Sequence, residues 1–316
     1  MDDSASIEAE DLRKRYGARQ ALQGVSASVA AGEMVGLLGP NGAGKTTTLS
    51  ILAGVLRPDS GRVRLCGHEL LAAPVAARRS LGLVPQALGL YPTLTAMENL
   101  LFFGRIQGLS GGVARSAALA LLDEVGLADR AQDVAAAFSG GMKRRLNLVC
   151  GMLHQPPVLL LDEPTAGADP QSRERIFGVV KAAATRGAAV LYSTNYMEEA
   201  ERLCDRVILI DHGRIAAAGT PTQLIKLAGA QLRVELLTRA VMAAGWSSGL
   251  AGAREIPSAS NGSSLAALTL QSPDQVPQVL AVAERLGGSV VEFHLHMPNL
   301  QDAFLALTGH GLRDAT

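Results

Sequence analysis

The chain has 316 residues, 48% hydrophobic and 18% charged, which suits a full core with a small second domain and excludes a single peptide module. Lys and Arg total 29, as do Asp and Glu, so the formal net charge is zero and no whole-chain pull toward nucleic acid or anionic lipid is expected. Cys66, Cys150 and Cys204 stand far apart, without disulfide or metal-ligand spacing, as small buried hydrophobes in a reducing compartment would.

Mean hydropathy is +0.20, yet every apolar run is broken before the ~18 to 20 residues that a membrane span requires. The start, MDDSASIEAEDLRKRYG, is acidic where a signal peptide is basic and then apolar, so the chain is expected to stay where it is made. In chain order, Leu12 to Val29 and Gly61 to Cys66 alternate apolar and charged residues and predict a small antiparallel layer. Between them, Glu33 to Gly39 (EMVGLLG) predicts a buried strand, and Lys45 to Leu56 carries helical spacing. From Leu94 to Gly151 the pattern is helical, with TLTAMENLLFFGRI and VARSAALALLDEVGL around the turn GLSGG. Val158 to Asp162 and Ala188 to Ser193, each preceded by helical sequence, predict parallel strands, and Arg206 to Asp211 leads into a turn at His212-Gly213.

After Pro221 the composition shifts to Ala, Ser and Gly. LRVELL, LAALTL and VVEFHLH predict strands there, Pro277 to Leu286 and Leu300 to Leu307 helices, and Ser258 to Ser264 a flexible hairpin or loop. The expected fold is α/β, with Gly39 to Thr46 (GPNGAGKT) marking a P-loop NTPase core with a largely parallel sheet, an antiparallel β layer and a helical subdomain, plus a small C-terminal α+β domain. The expected boundaries are 1–221 for the core domain, with its helical insertion at about 87–150, and 222–316 for the accessory domain. No repeat of fixed period is present.

Gly39-Pro40-Asn41-Gly42-Ala43-Gly44-Lys45-Thr46 fits G-x-x-x-x-G-K-[ST] between a predicted strand and a predicted helix. Glycines allow the positive φ angles that turn successive N–H groups inward, and the helix N-terminus adds partial positive charge. The backbone from Gly39 through Asn41, Gly42, Ala43 and Gly44, with Thr46 and Thr47, is expected to wrap phosphates, Lys45 to reach the β- and γ-phosphates and Thr46 to bind Mg²⁺. Asp162 closes the apolar run VLLLD, where a strand tip sets a carboxylate beside such a loop to hold Mg²⁺. Glu163 follows, placed to orient or deprotonate an attacking water.

With these motifs the sequence resembles the nucleotide-binding subunit of ATP-binding cassette (ABC) transporters, from roughly Ile7 to Thr220. The resemblance implies that Gln86 in LVPQ touches Mg²⁺ and the attacking water and relays the state of a membrane partner, and that Tyr16 in RKRYG stacks on adenine. Phe138-Ser139-Gly140-Gly141-Met142 resembles the family signature LSGGQ, with Phe for Leu and Met for Gln. By that resemblance Ser139, Gly140 and Gly141 bind the γ-phosphate held by an opposite subunit, so two copies close head-to-tail around two Mg-ATP. Lys143, Arg144 and Arg145 follow and read as a solvated basic face, not a nucleic-acid patch.

Two positions depart from the family pattern. Ala168 stands in Ala166-Gly167-Ala168-Asp169 where the family has leucine, and Asn195 in Ser193-Thr194-Asn195-Tyr196 where it has histidine. An asparagine amide still donates a hydrogen bond to a γ-phosphate but cannot share a proton near neutrality, and no other histidine lies next to this loop, so slow hydrolysis is expected. LYPTLTAMENL, FSGGMKRRLNL and the tail NLQDAFLALTG further resemble ABC-2-type exporters, in which drugs, polysaccharides or lipid-linked substrates leave the cell. His294 and His296 share one face of a predicted strand without a third ligand in spacing, which favours an ordinary exposed face over a metal site.

The resemblance thus implies an ATP- and Mg²⁺-dependent ATPase, with Glu163, Gln86 and Asn195 at the reaction centre and Thr46, Gln86 and Asp162 around the metal. Its partners are a separate transmembrane permease and a second ABC subunit, homodimeric or related, and not nucleic acid. The implied location is cytoplasmic, peripheral on the inner face of the cell membrane. A second reading is a weakened cassette serving as an ATP-dependent clamp. A DNA-repair or chromosome-maintenance cassette would need a long insertion between phosphate loop and signature, translation-type cassette proteins carry two phosphate loops, and a GTPase needs an N-K-x-D segment that is missing.

Overall fold

The computed structural model describes residues 5–238, 245–247, 250, 254–256, 265–286 and 289–309. In chain order its elements are β1 (Ile7–Tyr16), β2 (Arg19–Val29), β3 (Met34–Leu38), α1 (Lys45–Leu52), β4 (Ser60–Leu65), β5 (His68–Glu69), α2 (Pro74–Arg79) and β6 (Leu81–Val84). Next come α3 (Ala96–Ile106), α4 (Gly111–Glu124), α5 (Gly140–Met152), β7 (Val158–Asp162), α6 (Pro170–Thr185), β8 (Ala189–Thr194), α7 (Met197–Leu203), β9 (Arg206–Asp211) and β10 (Arg214–Gly219). The chain continues with α8 (Pro221–Leu227), β11 (Leu232–Thr238), β12 (Arg254–Ile256), β13 (Leu265–Leu270), α9 (Val276–Arg285), β14 (Val290–His296) and α10 (Leu300–Thr308). Two compact units meet in sequence between Pro221 and Thr222.

In the first unit, β10-β9-β3-β8-β7-β6 form one six-stranded sheet, parallel from β9 through β6, with β10 antiparallel at the edge. Continuous apolar runs such as MVGLL and VLLLD suit this sheet because every one of their residues is buried, as a strand covered on both faces requires. A second, antiparallel sheet has the order β2-β1-β4-β5. Its alternating residues put Ile7, Ala9, Val25, Val29, Val63 and Leu65 into a core shared with Leu49, Ile51 and Leu52 of α1. The helical stretch holds α3, α4 and α5; Thr95 and Glu98 close a reciprocal capping box at the start of α3.

Several elements differ from the sequence expectation. α1 stops at Leu52 instead of Leu56, because Gly54 takes φ 66° and Val55 N–H returns to the Ser50 carbonyl, a left-handed helix stop. β1 begins at Ile7 and not Leu12, and β5, β6, β10 and β12 are strands that the pattern did not mark. LGLV is only four residues long, and RIAAAG is rich in residues of weak strand preference.

The second unit is a four-stranded antiparallel sheet, β12-β13-β11-β14, with α9 packed on it. Leu232, Val234, Leu236, Leu268 and Leu270 meet Val279 and Ala283 in its core. The loop expected at Ser258 to Ser264 lies outside the described residues, as does His310. His294 and His296 have ring centroids 6.4 Å apart and lie 3.2 Å from Glu292 and 3.7 Å from Glu235 respectively. Among the described residues no group of three or more His, Cys, Asp or Glu is placed to hold a metal ion.

Candidate active site

Parallel strands point their carboxyl ends to one edge of the sheet, and the segments leaving β3, β6, β7 and β8 all meet there. β3 delivers Gly39 to Gly44, β6 delivers Gln86, β7 ends in Asp162 and Glu163, and β8 delivers Asn195. The register Leu38↔Thr194 and Asp162↔Ser193 fixes the order of these groups.

Gly44 is the N-cap of α1 with φ 114°, and a β carbon there would lie 2.8 Å from Leu22 Cδ2. Neither a side-chain cap nor an acidic residue in the first turn occupies the helix N-terminus, which leaves its N–H groups for an anion. Lys45 is 4% exposed and donates to the Gly39 and Pro40 carbonyls at 2.7 and 3.2 Å. Its Nζ lies 3.4 Å from Glu163 Oε1. Burial pushes the Lys45 ammonium below its ordinary pKa, and Glu163, then Asp162, oppose the shift.

Asp162 and Glu163 diverge for a backbone reason. Asp162 continues the strand, is buried, and accepts from Ser193 Oγ at 2.6 Å. Glu163 takes φ 46°, a left-handed conformation held by its N–H donating to the Ser193 carbonyl and Oγ, both at 3.1 Å. That turn brings its carboxylate to Lys45 and to Gln86 Nε2, which donates to Glu163 Oε2 at 2.9 Å.

Lys45, Gln86 and Glu163 border an open cleft of about 380 Å³ that also includes Tyr16, Asn41, Gly42, Gly44, Thr46 and Thr47. Tyr16 is half exposed, as a ring must be to receive a flat ligand. The donor set suits Mg-ATP: an uncapped helix end and a buried ammonium for phosphates, with a hydroxyl (Thr46), a carboxylate (Asp162) and an amide (Gln86) as hard oxygen ligands. Asn195 Oδ1 is buried and accepts no hydrogen bond, a polar atom left over for something further.

Of the predicted residues, Gly39, Ala43, Asp162 and Asn195 lie on the segments that meet at this edge without lining the cleft, and three stand elsewhere. Ser139, Gly140 and Gly141 start α5 and do not line this cleft. Ser139 Oγ accepts from Met142 N–H at 3.3 Å, while Ser139 and Gly140 remain exposed. Gly141 is obligatory at its position, since a β carbon would lie 2.3 Å from Ser172 Oγ and 2.4 Å from Asp169 Oδ2. Phe138, in the place of leucine, is buried and anchors the turn. Ala43 faces inward, with its N–H donating to the Pro40 carbonyl at 3.1 Å.

The solvated basic face expected at Lys143, Arg144 and Arg145 is corrected by the structure. Arg144 turns inward and donates to the Gln86 carbonyl and, at 2.9 Å, to the Ala166 carbonyl, and Arg145 donates to the Val125 carbonyl. Arg144 therefore ties α5 to the segments that carry Gln86 and Glu163, two of the four that meet at this edge. Sequence reasoning also missed Arg19, which donates to the Gly42 carbonyl at 3.0 Å, and Glu199. Glu199 is buried and accepts from Thr165 Oγ1 (2.8 Å), Tyr192 OH (2.8 Å) and Thr194 Oγ1 (3.1 Å), clamping both ends of the segment that carries Asn195. Burial, with Glu199 beside it, pushes the Tyr192 phenol well above its ordinary pKa. The only local signal for Glu199 was its helical register behind the loop.

The family model described as ABC transporter matches residues 22–166. The linearmycin resistance ATP-binding protein LnrL of Bacillus subtilis (strain 168) is 40% identical over 312 residues, spanning 98% of this chain and 100% of that protein. The chain belongs to the ABC transporter family. The daunorubicin/doxorubicin resistance ATP-binding protein DrrA of Streptomyces peucetius is 38% identical over 98% of this cassette and 94% of its own length. The Nod factor export ATP-binding protein I of Burkholderia orbicola (strain AU 1054) is 40% identical over 98% and 99%. A solved structure described as the ATP binding subunit of an ABC transporter superposes with a TM-score of 0.66 at 34% identity, covering 72% of this cassette and 94% of that chain. As an ATP-binding subunit of this family, the cassette is an ATPase coupled to transport.

Proposed function

We propose that this cassette hydrolyses Mg-ATP for an exporter, closing head-to-tail with a second copy and driving a separate transmembrane permease from the inner face of the membrane. The observation that carries the reading is the convergence of Lys45, Gln86 and Glu163 at the strand tips. Relatives named for drug resistance, linearmycin resistance and Nod factor export support export as the direction. No helix among the described residues is long and apolar enough to cross a membrane, in keeping with a permease carried by another chain. A groove of about 380 Å³ lined by Pro85, Gly89, Phe103, Ile106 and Cys150 lies on the segment around Gln86 and suits an amphipathic permease helix.

Tyr16 stacks on the adenine, and the N–H groups of Asn41, Gly42 and Gly44 to Thr47 hold the phosphates. Lys45 leaves the Gly39 and Pro40 carbonyls to pair with the β- and γ-phosphates. Thr46, Asp162 and Gln86 hold Mg²⁺, which when bound neutralises developing phosphate charge. Glu163 orients a water toward the γ-phosphorus and takes its proton, and Asn195 donates to the γ-phosphate. Ser139, Gly140 and Gly141 of the second copy cover the same phosphate. The exposure of Ser139 and Gly140 at an α-helix N-terminus supports this, because an anion there satisfies otherwise free N–H groups.

Asn195 favours a second reading, a slow cassette that spends most of its cycle clamped on ATP. A neutral amide stabilises transition-state charge less than an imidazolium does. Asn195→His is expected to raise Mg-ATP turnover by about tenfold, the worth of ~1.4 kcal/mol in the barrier. Phosphate release by the two chains side by side checks this, and equal rates remove the slow-cassette reading.

A further inference from the structure

Among the described residues the accessory sheet ends in two unlike edges. β12 is three residues long, whereas β14 is seven and reads Val290-Val291-Glu292-Phe293-His294-Leu295-His296, without the Lys, Arg or Pro that blunt a free edge. On the other side β14 pairs with β11, Leu295 opposite Val234 and Phe293 opposite Leu236. Cross-strand partners share a face, and Val234 and Leu236 are fully buried in the core with α9. On β14 that same apolar face comes into the open at Phe293 and Leu295, 46% and 38% exposed, while a register shift between Glu292 and Val290 leaves Val291 outside the pairing and sets Val290 opposite Thr238.

The residue order about Phe293 is self-complementary. If two β14 strands run antiparallel about a two-fold axis at Phe293, each Phe293 ring meets its counterpart. On the opposite face Glu292 of each copy meets His294 of the other, carboxylate against imidazole. An axis at Glu292 would instead oppose two carboxylates, which is unfavourable. We propose that a second copy of this chain docks on β14 by antiparallel strand pairing, joining two four-stranded sheets into one of eight.

A seven-residue strand pair buries less than the ~1,200 Å² of a standard interface, so the contact is weak and reversible. It needs no nucleotide, and it rests on none of the roles assigned to Lys45, Glu163 or Asn195. The test uses the full, nucleotide-free chain with Cys66→Ser, which removes the exposed thiol while Cys150 and Cys204 stay buried. Opposed β carbons on paired strands are near disulfide distance. Phe293→Cys is expected to form an oxidised dimer at least about tenfold faster than Val75→Cys, a control at a still more exposed position, because pairing raises the effective concentration. Mixed Glu292→Cys and His294→Cys chains are expected to cross-link to each other in preference to themselves. Phe293→Lys sets two ammonium groups face to face and should abolish nucleotide-free self-association in sedimentation, with circular dichroism and melting unchanged. Cross-linking no faster than the control, or self-association indifferent to Phe293→Lys, overturns the proposal. So does a Phe293→Cys chain that sediments as a monomer and whose introduced thiol is protected only when a permease is added.

Discussion

Glu163→Gln is expected to lower Mg-ATP turnover by about 10²- to 10⁴-fold, the usual contribution of a positioned general base, while ATP still binds. The strand VLLLD stops at Asp162, and the left-handed turn at Glu163 aims the second carboxylate away from the first. Asp162 is committed to Ser193, and only Glu163 reaches both Lys45 and Gln86 across the cleft. Glutamine keeps the shape but has no basic oxygen for the water's proton. The substitution thus separates proton transfer from phosphate binding. Phosphate release and fluorescent-nucleotide binding on the same preparation check it; turnover retained within tenfold would place the base elsewhere.

Lys45→Met is expected to weaken ATP binding by roughly 10- to 150-fold, corresponding to ~1.5–3 kcal/mol for hydrogen bonds to a charged group. Methionine fills much of the same buried volume, so the loss reports the ammonium and not a cavity. The Nζ is held by two loop carbonyls and one carboxylate, all within 3.4 Å, and phosphate oxygens offer the same ammonium stronger partners. Because burial disfavours the charged form, the ammonium gains more from an incoming polyanion than a surface lysine would. Calorimetric titration with ATP reads the effect directly. An unchanged affinity would mean that Lys45 is a structural cation of the loop.

Much of this site is legible in the sequence because its chemistry is local. Gly39 to Thr46 is one contiguous turn whose glycine spacing encodes its own backbone shape, and VLLLD is apolar almost throughout because β7 is covered on both faces. Groups that act across the fold are harder to read. Arg144 sits in a run of three cations, and only the packing of α5 turns it under Gln86 and Ala166. Glu199 looks like its neighbour Glu198 on α7, yet it alone of the two is buried, against Thr165, Tyr192 and Thr194. Gly54 ends α1 early through a left-handed stop that helical periodicity does not register. Local conformation is written in composition and spacing, whereas the hydrogen-bond partners of a side chain depend on which elements the fold brings together.

The head-to-tail arrangement is tested most directly by mixing two silent chains. Lys45→Met removes the phosphate loop's cation but keeps Ser139 to Gly141, and Ser139→Arg blocks the signature but keeps the loop. Each alone is expected to lack turnover. In a hybrid pair, the loop of the Ser139→Arg chain faces the signature of the Lys45→Met chain, which completes one of the two sites. Random pairing makes about half the dimers hybrid, so the mixture is predicted to recover about a quarter of native Mg-ATP turnover. A mixture as silent as its parts, beside an active native chain, would contradict a site shared between two copies.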